Sequence, residues 1–89
     1  MMVKVIKPEE KFLESKNVKN WPIWEKENSV FDWYYDSVEE CYILDGEVEV
    51  SYNEKTVFIS SGDFVIFEKG LECTWKILRP VRKHYNFIN

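Results

Sequence analysis

From Trp21 onward, apolar residues recur at every second position in short runs separated by turn signals. Period two sends alternate side chains to opposite faces of a strand, so a helical fold is excluded for most of this chain. Phe31, Trp33 and Tyr35 fall on one face, with Asp32 and Tyr34 between them. Val48, Val50 and Tyr52 alternate with Glu47, Glu49 and Ser51, the pattern of a strand with one buried and one charged face. Cys73, Trp75 and Ile77 share a face opposite Thr74 and Lys76. Asp45-Gly46, Asn53-Glu54-Lys55, Ser60-Ser61-Gly62-Asp63 and Glu68-Lys69-Gly70 read as turns, and Arg79-Pro80 as a strand break. Trp21-Pro22-Ile23-Trp24 begins a strand that proline confines to an edge or a start. Eight to ten short strands with almost no helix predict an all-β sandwich or barrel.

The remainder of the chain adds little. Residues 1–20 read as a lead-in, and residues 21–89 as the barrel of one domain spanning 1–89. Pro8-Glu9-Glu10 before Lys11-Phe12-Leu13 predicts one short helical turn, with acids at its positive end, decorating the surface. Four Trp, five Tyr and six Phe supply the bulk that 89 residues otherwise lack for a core.

Charge and composition exclude several partners. A net charge of −4 is the wrong sign for a phosphate backbone, so nucleic acid is not expected as a partner. No apolar run approaches the ~20 residues of a membrane span. The start, MMVKVIKPEEKF, lacks a signal-peptide core, so the expected location is the cytoplasm. Cys41 and Cys73 have no CxxC spacing and read as buried free thiols in a reducing compartment. Lysine and glutamate dominate the polar residues, a bias also seen in thermophile proteins.

Two motifs carry a resemblance. Glu39 and Gly46 stand with six residues between them in Glu39-Glu40-Cys41-Tyr42-Ile43-Leu44-Asp45-Gly46, which resembles the end of the first cupin motif. Gly62-Asp63-Phe64-Val65-Ile66-Phe67-Glu68-Lys69-Gly70 resembles the second, with Glu68 in place of its proline. All three glycines fall on motif positions, and fifteen residues lie between the motifs, as in compact microbial cupins. Trp24-Glu25, Phe31-Asp32-Trp33, Tyr35, Trp75 and Val81-Arg82-Lys83-His84-Tyr85 extend the likeness. Over nearly the whole chain it is similar to small cupins of the ureidoglycine aminohydrolase type, many of unassigned function and some from thermophilic bacteria. The resemblance implies a jelly-roll barrel with a ligand pocket inside.

The same resemblance implies a metal held by three histidines and the motif-one glutamate. Here the first two histidine positions fall on Asp32 and Tyr34, or on Trp33 and Tyr35, and the third falls on Cys73. The single histidine, His84, lies outside both motifs. No cofactor is therefore expected. A divalent metal, if present, would rest on Glu39 and Cys73, with Cys41 as a further thiol on the parity of Glu39.

Glu39 is the candidate catalytic residue. A carboxylate inside an aromatic barrel loses solvation, which pushes it toward the range of a general acid or base. The bland reading is a glutamate that only fixes a loop. Trp24, Glu25, Phe31, Trp33, Tyr35, Cys41, Cys73, Trp75, Lys83 and Tyr85 are the candidate pocket residues. For the aromatics the bland reading is core packing, and for Glu25 a solvent-facing charge. Lys83 shares the parity of Val81 and Tyr85, so it is placed to reach inward and pair with Glu39 or Glu25. The expected function is small-molecule binding without the histidine-held metal. The alternatives are an enzyme using Glu39 as acid–base, a metalloenzyme with Cys/Glu/Tyr ligands, or a structural protein. The oligomer expected is a monomer or a homodimer.

Overall fold

The computed structural model describes residues 2–88. Among the described residues, seven strands form one antiparallel sheet: β1 (Val3–Ile6), β2 (Ile23–Lys26), β3 (Val30–Tyr34), β4 (Val38–Tyr52), β5 (Lys55–Ser60), β6 (Phe64–Phe67) and β7 (Glu72–Ile88). A helix, α1 (Glu10–Ser15), and a 3-10 turn over Val18–Asn20 join β1 to β2. The strand order is β1-β6-β4-β7-β2, with β3 paired to β7 and β5 paired to β4. This is an all-β cupin barrel, as the alternation of side chains predicts.

Strands β4 and β7 build both halves of the barrel. The first part of β4 pairs with β6, while its second part pairs with β5. The first part of β7 pairs with β3, and the part from Val81 onward pairs with β2. The two long strands also run beside each other, with register shifts between Ile43 and Val48. Those shifts are bulges, and bulges bend a strand sharply without ending it. Asp45-Gly46 and Arg79-Pro80, expected as a turn and a break, therefore lie within continuous strands. This is why seven strands, two of them long, replace the eight to ten expected.

Gly46 makes the bend feasible. Its φ is +115°, and a Cβ there would lie 2.7 Å from both the Pro80 carbonyl oxygen and the Val81 Cα. No side chain fits that crossing. Asn53 and Glu54, at φ 45° and 61°, close the two-residue hairpin between Tyr52 and Lys55. Positive φ at both central positions matches the right-handed twist of the strands they join.

The second motif is a turn device. Asp63 is buried, and its Oδ2 accepts the Ser60 N–H at 2.9 Å. Lys7 pairs with its Oδ1 from outside. The Gly62 N–H donates to the Ile43 carbonyl at 2.8 Å, tying the turn to the middle of β4.

The lead-in holds more structure than the sequence reveals. Val3–Ile6 pairs along its length with β6 and extends the sheet. The helix is no mere decoration: Phe12 meets Phe64 edge-on at 4.9 Å, and Trp21 lies 6.2 Å from the same ring. Together they cover the outer face of β6. The main core lies on the other face, where Cys41, Ile43, Val48, Val50, Val65 and Phe67 pack with Trp75 and Val81. None of the described helices is long and apolar enough to cross a membrane.

Candidate functional site

Inside the barrel lies a cavity of about 260 Å³. Its floor is set by β4 and β7, which place Glu39 and Lys83 on the inner face with Cys41, Ile43, Val81 and Tyr85. Lys83 Nζ donates to Glu39 Oε2 at 2.7 Å. Both side chains are sealed from bulk solvent, at 6% and 4% exposure. The ammonium also lies 4.7 Å from the Trp75 ring centroid, 5.0 Å from Trp24 and 5.9 Å from Phe67. The negative faces of those rings supply part of the solvation that Lys83 loses. A charge this deep is tolerated because it is paired and surrounded in this way.

The walls are aromatic. Phe31 stacks on Trp75 at 6.0 Å with an interplanar angle of 19°, and Trp24 meets Trp75 edge-on at 6.0 Å. Tyr35 is buried and stacks on Phe67 at 4.7 Å. Its hydroxyl accepts the Trp75 Nε1–H at 3.2 Å, which leaves its own O–H as a donor. Trp33, Tyr85 and Phe87 complete the lining. Trp33 and Phe87 are each about half exposed, so they form the rim.

Burial, and then the Glu39 charge, push the Tyr35 phenol far above its ordinary value. It stays a neutral hydroxyl. Burial likewise raises Cys41 to about 12, and burial followed by Glu39 raises Cys73 to about 11. Both free thiols are therefore protonated at neutral pH and are poor nucleophiles.

Of the candidate pocket residues, Glu39, Trp24, Phe31, Trp33, Tyr35, Trp75, Lys83 and Tyr85 meet around the cavity. Three do not. Glu25 lies outside, 3.3 Å from Arg82 Nε, because strand parity turns it away whenever Trp24 points in. Cys41 is fully buried in the core and lines no part of the cavity. Cys73 also packs in the core and borders a separate groove beside Asp32, Glu72 and Thr74.

The expected grouping of Glu39, Cys41 and Cys73 does not form a metal cage. Among the described residues, no three His, Cys, Asp or Glu side chains are placed to hold an ion. His84 is occupied elsewhere, with its Nδ1 2.9 Å from the Trp21 carbonyl oxygen. Phe87 is a cavity residue that the sequence reading missed, although it shares the parity of Lys83 and Tyr85.

A cupin barrel whose motif glutamate is held by a lysine defines the class. Residues 13–85 match the EutQ-like cupin domain, and the chain belongs to that family. The crystal structure of a DUF861-family protein from Thermotoga maritima is 56% identical, with a TM-score of 0.95. The match covers 98% of this chain and 100% of that one. The EutQ protein of Clostridium difficile is 25% identical with a TM-score of 0.68, over 73% of this chain and 52% of its own. A putative ethanolamine utilization protein Q from Salmonella typhimurium matches equally well, at 25% identity and a TM-score of 0.68 over 73% of this chain and 53% of its own. The chain spans about half the length of these two relatives. No curated protein matches it. This chain is a small cupin.

Proposed function

We propose that this cupin binds a small molecule in its barrel without the histidine-held metal of the wider superfamily. The observation that carries this reading is the Glu39–Lys83 pair. The one motif residue that keeps its usual metal-binding type is held at 2.7 Å by a resident ammonium, on the floor of a 260 Å³ aromatic cavity. A divalent ion at Glu39 would have to sit against the positive charge of that ammonium, and the thiols that would complete its shell lie off the cavity. Among the described residues, the side chains present do not fit such an ion.

One observation favours a second reading, metal-independent acid–base catalysis of the aminohydrolase kind. Glu39 lines the cavity, yet Lys83 is the only hydrogen-bond partner of its carboxylate among the described residues. A free carboxylate oxygen facing a bound substrate can move a proton. The similarity to the Thermotoga maritima protein and the Lys/Glu-rich surface support a heat-stable bacterial protein. We place it in the cytoplasm as a monomer or homodimer.

The test joins elemental analysis to a fragment screen. Protein purified without added metal or chelator, then incubated with Zn, Mn, Fe and Ni, is expected to carry no stoichiometric ion. Fragments detected by NMR are expected to shift the indole signals of Trp24 and Trp75, and binding is expected to be lost in Trp75→Leu. A stoichiometric metal that disappears in Glu39→Gln would overturn the reading.

A further inference from the structure

Resting on the barrel as a small-molecule site, the hydrogen-bonding inventory of its floor restricts what can bind there. Among the described residues, Glu39 and Lys83 are the only charged groups lining the cavity, and each neutralises the other. All the other lining residues are aromatic. An anion would find an ammonium already compensated, and a cation would have to compete with Lys83 for the carboxylate. Either ion would also surrender its hydration in a low-dielectric space without gaining a free counter-charge.

The pair is neutral but not saturated. Only Oε2 of Glu39 is bonded, and every sealed side-chain oxygen and nitrogen among the described residues has a partner. Oε1 is therefore an atom the cavity reaches, as an unused acceptor. An ammonium has three N–H donors, of which one goes to Glu39. Both groups line the cavity and meet at one carboxylate, so the unused acceptor stands beside an ammonium whose other N–H groups face aromatic rings. Those rings are weak acceptors that a carbonyl oxygen outcompetes, and the Tyr35 O–H is a further donor nearby. The partner of such an edge is an adjacent N–H and C=O. The surrounding rings, with Phe31 stacked on Trp75 and Trp24 standing edge-on to both, favour an aromatic body that can pack against ring faces and edges. The volume lies below the ~300–1,000 Å³ of pockets for drug-sized ligands, so one small ring system fills it.

We infer that the site selects neutral, planar rings carrying a lactam edge. The ring N–H donates to Glu39 Oε1, and the carbonyl accepts from Lys83 Nζ. Discrimination comes from the charge balance of the floor as much as from the shape of the walls.

Three probes of similar size and different charge test this: 2-pyridone, benzoate and benzamidinium, titrated while the indole N–H signals of Trp24 and Trp75 are followed by NMR. In the native protein 2-pyridone is expected to bind at least about tenfold tighter than either ion. Glu39→Gln leaves the ammonium uncompensated, so benzoate is expected to gain at least about tenfold. Lys83→Met leaves the carboxylate uncompensated, so benzamidinium is expected to gain similarly. If a single variant fails to fold, the double variant Glu39→Gln/Lys83→Met replaces it and must weaken 2-pyridone by at least about tenfold. Either ion matching 2-pyridone in the native protein, or 2-pyridone unaffected in the double variant, overturns the inference and leaves the binding reading standing. No shift from any of the three probes overturns it as well, and the fragment screen above then decides the binding reading separately.

Discussion

Glu39 and Glu40 are neighbours on one strand, and each is buried, paired with a lysine and surrounded by rings, yet only one of them makes a site. Glu40 faces outward beneath the helix. Lys16 Nζ donates to both of its oxygens, at 3.1 and 3.3 Å, and lies 5.6 and 5.9 Å from the Phe12 and Phe64 rings. Glu39 faces inward, where Lys83 binds a single oxygen and the space beyond is a cavity. The outer carboxylate has nothing left to offer, and the side chain of its lysine is one-third exposed. The outer pair is a staple that fixes the helix to the sheet. The inner pair keeps unused hydrogen-bonding capacity in a cavity lined by aromatic rings, which is what a ligand needs. Composition does not separate the two; satisfaction does.

The comparison is sharpest in stability. Removing one partner of a sealed pair strands a charge, so Lys83→Met is expected to cost about 3–5 kcal/mol in denaturant unfolding. Lys16→Met strands a carboxylate that water can reach once the lysine is gone, and about 1 kcal/mol is expected. Equal costs would remove the distinction between site and staple.

A second loss belongs to the bend that builds the inner floor. Gly46→Ala is expected to cost about 3 kcal/mol, because its Cβ would strike the backbone of Pro80 and Val81. Gly62→Ala, at φ +92° with open space around it, carries only the backbone strain of about 1 kcal/mol.

Salt should separate the pairs again. At 1 M the screening length falls to about 3 Å, so the Lys16→Met cost is expected to shrink while the Lys83→Met cost stays. A smaller difference appears at high pH. The unfolded thiols release their protons near 9.0, while Cys73 and Cys41 hold theirs to about 11 and about 12. The native state then binds more protons than the unfolded chain, so their contribution is intact below pH 9 and is lost as pH rises through 11 to 12. Cys41→Ala/Cys73→Ala is expected to show a shallower fall over that window than the native protein, measured by chemical denaturation at each pH.

Much of this was legible from strand parity. It places Phe31, Trp33 and Tyr35 on one face and turns Lys83 toward Glu39, and the motif glycines fix where the chain must bend or turn. What stayed hidden has physical causes. Val3–Ile6 is a strand of four residues whose partner lies some sixty positions away, and nothing local marks it. A bulge looks like a turn in sequence, because both use glycine and a polar neighbour, so Asp45-Gly46 reads as the end of a strand it only bends. The Glu40–Lys16 staple depends on how a helix docks, which periodicity does not report. Cys73 shares parity with Trp75 and joins it in the core, but it borders a separate groove and not the cavity, which parity does not report.

The most direct test of the central claim is a crystal of the native protein soaked in Zn²⁺ or Ni²⁺, with anomalous difference density examined at Glu39. The account predicts no peak there and Lys83 Nζ still hydrogen-bonded to Glu39 Oε2. An ion coordinated by Glu39, with Lys83 swung away, would contradict it.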